Sequence, residues 1–217
     1  DFANDHDKFI QMLINDGKVM LPPYITSKRK IKSSDNIDYQ TIFSKKDGSI
    51  AAPTAGLHFT DNLIDEITKK GVRFERITLN IGLGTFLPLR NDKVEDNSLQ
   101  SEHCFISEST VKKLNEAKKK KNQRIISVGT TSLRSLETSF NGNEFVPVNS
   151  KTNKFIYPGI KINSIDALIT NFHLPKSSLF ILICALMGTK KMLEAYNYAI
   201  KNNYRFYSYG DACFLEK

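Results

Sequence analysis

Apolar and polar positions divide the chain into blocks with different periods. Phe9, Ile10, Met12, Leu13 and Ile14 predict a short helix stopped near Gly17. Residues 19–25 (VMLPPYI) read as an extended crossing with adjacent prolines, 26–36 as a basic polar connection, and 38–43 as the start of another ordered element. Asp61 is placed to cap a helix running through Leu63, Ile64 and Ile67 to Lys70 and ended by Gly71. Residues 72–81 (VRFERITLNI) alternate apolar and polar, the signature of a strand. Ser107 or Ser109 caps a helix to about Lys120, with Val111, Leu114 and Ala117 on one face. A buried strand at 125–128 then enters Gly129, Thr130 and Thr131, followed by a helix carrying Arg134 and Glu137. Strands are predicted at 155–160 and 165–170, then an apolar helix at 179–187 and a second at 190–202 carrying Leu193, Tyr196 and Ile200. Strands alternating with helices predict an α/β architecture with a largely parallel sheet.

Residues 47–60 (DGSIAAPTAGLHFT) organise the rest. They are too apolar for a surface loop and too rich in Gly, Pro and Thr for a helix. Pro53 removes a backbone donor and biases Ala52 towards an extended conformation. Gly56 permits close approach, leaving Thr54 and His58 as polar groups among small neighbours. Two readings stand side by side: the floor of a small-molecule pocket, or a buried strand ending in a tight turn.

Other blocks have the same character. The strand at 72–81 runs into GLGTF (82–86), whose glycines suit an anion or a nucleoside against the backbone; no GxGxxG is present. Gly129, Thr130 and Thr131 lie between a strand and a helix N-terminus, where N–H groups and hydroxyls converge. Arg134 follows one helical turn later, a polar set that a purely structural turn seldom needs. In NFHLPKSS, Asn171, His173 and Lys176 crowd a non-helical turn. At the end, YRFYSYGDACFLEK interleaves Arg205 with Phe206, Tyr207 and Tyr209 before Gly210 and Asp211. That pattern fits both a base-stacking site and an aromatic-packed terminal strand.

Composition narrows the class. At 217 residues the chain can bury one sizeable core. It begins at Asp1 without an initiator Met, and the expectation is a C-terminal portion of a longer protein. No apolar run approaches the roughly 18 residues of a membrane span, and no signal-peptide pattern opens the sequence. Cys104, Cys184 and Cys213 are an odd number without metal-ligand spacing, which points to a reducing cytoplasm. Four scattered histidines likewise form no metal constellation, so no metal cofactor is expected. A formal net charge of +8 suits a polyanionic partner, with clusters at Lys28, Arg29, Lys30 and Lys32 and at Lys118 to Lys121. Lysine-rich chains also carry such clusters simply as solvated surface.

Taken together, AAPTAGLHF, GTF-P-R, VGTTSLRSLE, TNFHLPKS and YRF-SYGDA, in this order, resemble the S-adenosylmethionine:tRNA ribosyltransferase-isomerase family of queuosine biosynthesis. The resemblance runs from about Leu21 to about Phe214. It implies a two-domain enzyme whose small β-barrel domain lies mostly upstream. Residues 1–45 would be the end of that domain and the return crossing, and 46–217 the larger, barrel-like α/β catalytic domain. The implied reaction moves the ribosyl group of S-adenosylmethionine onto 7-aminomethyl-7-deazaguanine at the wobble position of tRNA. Isomerisation to an epoxycyclopentane then gives epoxyqueuosine, with release of adenine and methionine. S-adenosylmethionine is a co-substrate, no cofactor is implied, and the partner is a tRNA with a GUN-type anticodon. A cytoplasmic monomer without a membrane association is the matching expectation.

That chemistry makes demands on residues. A primary alkyl amine has a pKa near about 10 and must be made neutral by desolvation or a base before it attacks. A base must also take a proton from the ribose carbon acidified by the sulfonium, and an acid eases departure of adenine. The matching motifs offer His58, Glu102, His173 and Asp211 as proton handlers. The same matching makes Thr54, Gly56, Gly82, Gly84, Thr85, Gly129, Thr130, Thr131, Arg134, Asn171, Phe172, Arg205, Tyr207 and Tyr209 substrate-binding candidates. The target base must be turned out of its stack to be reached. Asn80, Asn97 and Gln100 stand where the family typically has histidines, and none can exchange a proton near neutral pH. His103 is displaced from the family positions and reads as a surface residue. The alternative reading is therefore a catalytically impaired homologue acting as a tRNA- or nucleoside-binding protein.

Overall fold

The computed structural model describes residues 5–17, 19–45, 48–82, 89 and 91–217. The chain divides into two compact units, Asp1–Gln40 and Thr41–Lys217. In the first, α1 (His6–Asp16) is followed by two short helical turns, α2 (Pro23–Thr26) and α3 (Asp35–Asp38). The predicted extended crossing at 19–25 is thus partly helical: Pro23 occupies the first helical turn, where its missing N–H is harmless and its φ is preset. Arg29 grips the buried Asp35 with two hydrogen bonds of 2.7 and 2.6 Å, and the backbone N–H of Lys32 adds a third at 2.8 Å. One charge of the basic cluster is therefore committed within its own unit.

The second unit is mixed α/β with two small sheets. Its elements are α4 (Asp61–Lys69), β1 (Thr78–Asn80), β2 (Glu102–Ile106), α5 (Glu108–Lys118), β3 (Ile126–Val128), α6 (Thr130–Ser139), β4 (Val148–Thr152), β5 (Ala167–Asn171), α7 (Ser178–Met187), α8 (Thr189–Lys201) and β6 (Ala212–Glu216). One sheet has the order β1-β2-β4, antiparallel throughout, with Thr78 opposite Phe105 and Glu102 opposite Thr152. The other has the order β3-β5-β6; β3 and β5 run parallel, whereas β5 and β6 are antiparallel with Asn171 opposite Ala212.

A largely parallel sheet is therefore not what the described strands form. Only β3 and β5 are parallel, and the connection between them includes α6, the crossover helix that a parallel pair requires. The strand expected over 72–81 pairs only at Thr78–Asn80. Its partner β2 ends at Ile106 because Ser107 immediately caps α5, accepting from Thr110 N–H at 3.2 Å. Residues before Thr78 consequently have no ladder to join. No strand forms at 155–160, where Ile160 N–H closes a turn on the Tyr157 carbonyl at 3.0 Å. Thr60, rather than Asp61, caps α4 by accepting from Leu63 N–H at 3.2 Å.

Leu133 of α6, Leu168 of β5, Leu182 and Ile183 of α7, and Met192 of α8 form the centre of the core, with Ile106, Phe145, Ile156 and Ile165. No helix among the described residues is long and apolar enough to cross a membrane.

Candidate active site

Residues 54–58 form a 3₁₀ turn, Thr54–His58, closed by Gly56 N–H on the Pro53 carbonyl at 2.7 Å. Pro53 supplies a preset φ of −73°, and Phe59 leaves the turn in an extended conformation. A Cβ on Gly56 would stand 3.1 Å from Thr41 and 3.2 Å from the Phe43 ring, so the turn lies tight on those side chains. The turn packs against the carboxyl end of β5. There Asn171 is held from both sides: Thr54 Oγ1 donates to its Oδ1 at 3.1 Å, and its Nδ2 lies 3.1 Å from His58 Nε2. With the amide in this orientation Nε2 must accept, so the imidazole is neutral and carries its proton on Nδ1.

The Gly-Thr-Thr turn lies beside it. Gly129 has φ +91°, a conformation that favours glycine, and its N–H donates to the Ile169 carbonyl at 2.8 Å. A Cβ there would meet that of Ala55 at 3.8 Å, which brings the start of α6 against the 54–58 turn. Thr130 and Thr131 follow as the first helical residues, both buried.

The third wall is the 205–211 turn. Its Tyr207 N–H donates to the Phe172 carbonyl at 2.8 Å, fastening it one residue beyond Asn171. Asp211 accepts from the Arg205 backbone N–H at 2.7 Å and from Nε and Nη2 at 3.1 and 2.9 Å. Arg205 backbone and side-chain hydrogen bonds hold the Asp211 carboxyl below the usual carboxylate range. Gly210 closes the turn where nothing larger fits: a Cβ would fall 2.4 Å from the Phe206 carbonyl carbon. Tyr207, with φ +73°, and Tyr209 are half-buried. Burial pulls the His58 pKa down from its ordinary value; Asp211 opposes that shift and Arg205 adds to it. His58 therefore senses the charges of this turn.

The remaining candidates have partners of their own. Arg134 and Glu102 form an ion pair of 2.8 Å with both side chains buried, and Arg134 Nε also donates to the Lys154 carbonyl at 3.1 Å. Phe172 is buried among aromatic rings, with centroids 5.3 Å from Tyr196, 5.8 Å from Tyr204 and 4.9 Å from Phe206. His173 is buried too; its Nε2 lies 2.9 Å from Thr170 Oγ1 and its backbone N–H donates to Tyr196 Oη at 2.8 Å. Burial pushes its pKa down to about 4. Tyr196 was visible in the sequence only as one position of the α8 apolar face, and its polar tip gave no separate signal. Gly82 has open space around it; Gly84 and Thr85 lie outside the described residues. Asn97 braces its own loop, donating to the carbonyls of Lys93 at 2.7 Å and Asn91 at 3.0 Å and accepting from Asn91 N–H at 3.0 Å. Asn80 and Gln100 are exposed, and His103 sits opposite Asn80 on β2. Among the described residues, no group of three or more His, Cys, Asp or Glu is arranged to hold a metal ion.

The family model described as queuosine biosynthesis protein matches residues 1–215. The chain belongs to that family. An S-adenosylmethionine:tRNA ribosyltransferase-isomerase of Zymomonas mobilis is 49% identical over 200 residues, covering 92% of this chain and 58% of that protein. A protein of the same name from Buchnera aphidicola is 47% identical over 220 residues, covering 99% of this chain and 60% of that one. The crystal structure of an S-adenosylmethionine tRNA ribosyltransferase from Thermotoga maritima is similar with a TM-score of 0.62 and 40% identity, over 74% of this chain and 51% of that one. The chain thus spans under two thirds of the length of these relatives. The turns at 54–58, 129–131, 171–172 and 205–211 all fall within the stretch matched by the family model.

Proposed function

We propose that the protein carrying this chain transfers and isomerises the ribosyl moiety of S-adenosylmethionine onto 7-aminomethyl-7-deazaguanine at the tRNA wobble position. The product is epoxyqueuosine-tRNA, with adenine and methionine released. The observation that carries this reading is the convergence of His58, Asn171, Gly129 and the Arg205–Asp211 turn in a chain 49% identical to a protein of that name. In this reading His58 is the proton handler: it is half-buried beside the Asp211 carboxylate, and Nδ1, the ring nitrogen that Asn171 does not hold, is the one that meets an amine or an acidified carbon. Asp211 steadies the resulting imidazolium. Thr54, Gly56, Gly129, Thr130 and Thr131 form the wall for the nucleoside, and Arg205, Tyr207 and Tyr209 the platform for the everted base. Gly82, Gly84 and Thr85 remain substrate-binding candidates on the family match alone.

Glu102 and Arg134 are assigned a bracing role beneath α6, since their charges neutralise each other in a buried pair. His173 and Phe172 hold β5 to α8 and to the 205–211 turn. The reading places this chain in the larger domain of a two-domain, cytoplasmic, monomeric enzyme acting on tRNAs with GUN-type anticodons. S-adenosylmethionine is a co-substrate, and no metal has a part. The impaired-homologue reading is weaker, since Asn97 has a full structural role of its own.

The test is mass spectrometry of tRNA bearing 7-aminomethyl-7-deazaguanine, incubated with the full-length protein and S-adenosylmethionine, with adenine and methionine quantified in the same tube. Conversion with matched release of both supports the reading, and retained activity in chelator supports the metal-free assignment. Binding of tRNA without conversion overturns the enzymatic reading in favour of a binding protein.

A further inference from the structure

The amide of Asn171 touches two side chains and separates them: Thr54 on its oxygen and His58 on its nitrogen, each at 3.1 Å. Both partners come from one 3₁₀ turn, more than a hundred positions away in the chain. Asn171 is buried, whereas Thr54 and His58 are half-buried at the edge of the site. Its oxygen and nitrogen are therefore engaged from within the protein.

We propose that Asn171 is a positioning residue for His58 rather than a substrate contact, and that Thr54 and Asn171 act together as a reversible clamp on the imidazole. This rests on the reading of His58 as the proton handler. In the observed arrangement the amide N–H donates to Nε2, which fixes the neutral ring with its proton on Nδ1. Protonation of Nε2 would set donor against donor. A flip of the amide relieves this: Oδ1 then accepts from Nε2–H, Nδ2 donates to Thr54, and Nδ1 holds the lone pair that takes the substrate proton. Only a hydroxyl serves both states, since it can donate and accept. The charged groups facing the ring are Asp211 and Arg205 of the 205–211 turn, and β5 contributes the uncharged Asn171. Thr54 and Asn171 thus let the ring change charge without leaving a buried polar atom unpaired.

The test uses the full-length protein, with imidazole nitrogen spectra recorded alongside steady-state kinetics. Wild-type His58 is expected to show an unprotonated Nε2 at neutral pH. Asn171→Ala should lose that fixed tautomer and lower kcat by roughly 10–100-fold, with the KM for S-adenosylmethionine little changed. The near-isosteric Asn171→Asp, which guards against a folding defect in the alanine variant, should move the acid limb of the pH–rate profile to higher pH. Thr54→Val, which removes the partner of the amide in both orientations, should loosen the tautomer and slow turnover. A raised KM with kcat unchanged, or His58 spectra identical in wild type and Asn171→Ala, overturns the clamp. Should wild type fail to convert tRNA, the proposed reaction fails, and the spectra still decide whether Asn171 sets the tautomer.

Discussion

The Arg134 guanidinium lies 2.8 Å from the Glu102 carboxylate, and each side chain is only 4% exposed. Among the described residues Arg134 Nη2 finds no hydrogen-bond partner, and Glu102 and the Lys154 carbonyl receive this buried cation's hydrogen bonds. Removing the carboxylate strands the cation. Glu102→Ala should destabilise the protein by about 3–5 kcal/mol in denaturant unfolding. The double variant Glu102→Ala, Arg134→Met should lose less than Glu102→Ala alone. Loss of turnover in Glu102→Gln at unchanged stability would assign Glu102 to chemistry instead of bracing.

His173 gives stability a pH dependence. Burial lowers its pKa from 6.5 to about 4, so between these values the unfolded chain binds the extra proton. Its contribution is present in full above about pH 6.5 and is lost as pH falls towards about 4. Each pKa unit corresponds to about 1.4 kcal/mol, which places the whole effect at about 3 kcal/mol. Unfolding midpoints measured from pH 4 to 8 should fall on the acid side, and His173→Gln should flatten that slope. An unchanged slope would remove His173 as the cause.

Gly210 offers a sharper steric test. A Cβ at 2.4 Å from a backbone carbon forces the chain to move, since a flexible side chain is not what it meets. Gly210→Ala should break the hydrogen bonds between Arg205 and Asp211, and with them the charge environment of His58. Turnover should collapse while the far-UV spectrum stays near wild type. Wild-type turnover would show that the site does not depend on this turn.

Asn97 should matter first to its own loop. Asn97→Ala removes the amide that bridges Asn91 and Lys93, at a cost of about 1–2 kcal/mol. Hydrogen exchange over 91–97 should accelerate, with protection in α6 and β5 unchanged. Uniform acceleration across the chain would mean that the loop is coupled to the core.

Local pattern wrote the helices. α5 buries Val111 and Leu114 at the helical period, and Ser107 marks its start through a hydrogen bond within its own first turn; α8 forms where expected but buries Met192, Tyr196 and Ala199, leaving Leu193 and Ile200 of the expected set exposed. The candidate turns were also legible, because Gly, Thr, His and Asp interrupting apolar runs are visible without any partner. Strands were harder. β4 (VNSKT) buries only Val148 and Thr152, and β2 faces inward with Glu102 as well as Cys104 and Ile106, so alternation of apolar residues fails to show either. Their existence depends on the neighbouring strand, as does the antiparallel sense that replaced the expected parallel sheet.

Propensity, capping and periodicity act over a few positions, so the residue types of the candidate site and the helices beside them were readable along the chain. Which of those residues meet was decided only by the fold. Glu102 and Arg134, 32 positions apart, became a buried pair, while Asn171 met His58 and Thr54 across 113 and 117 positions. A hydrogen bond requires its atoms within about 3 Å. No spacing along the chain encodes that distance; the packing of the 54–58 turn on the end of β5 supplies it.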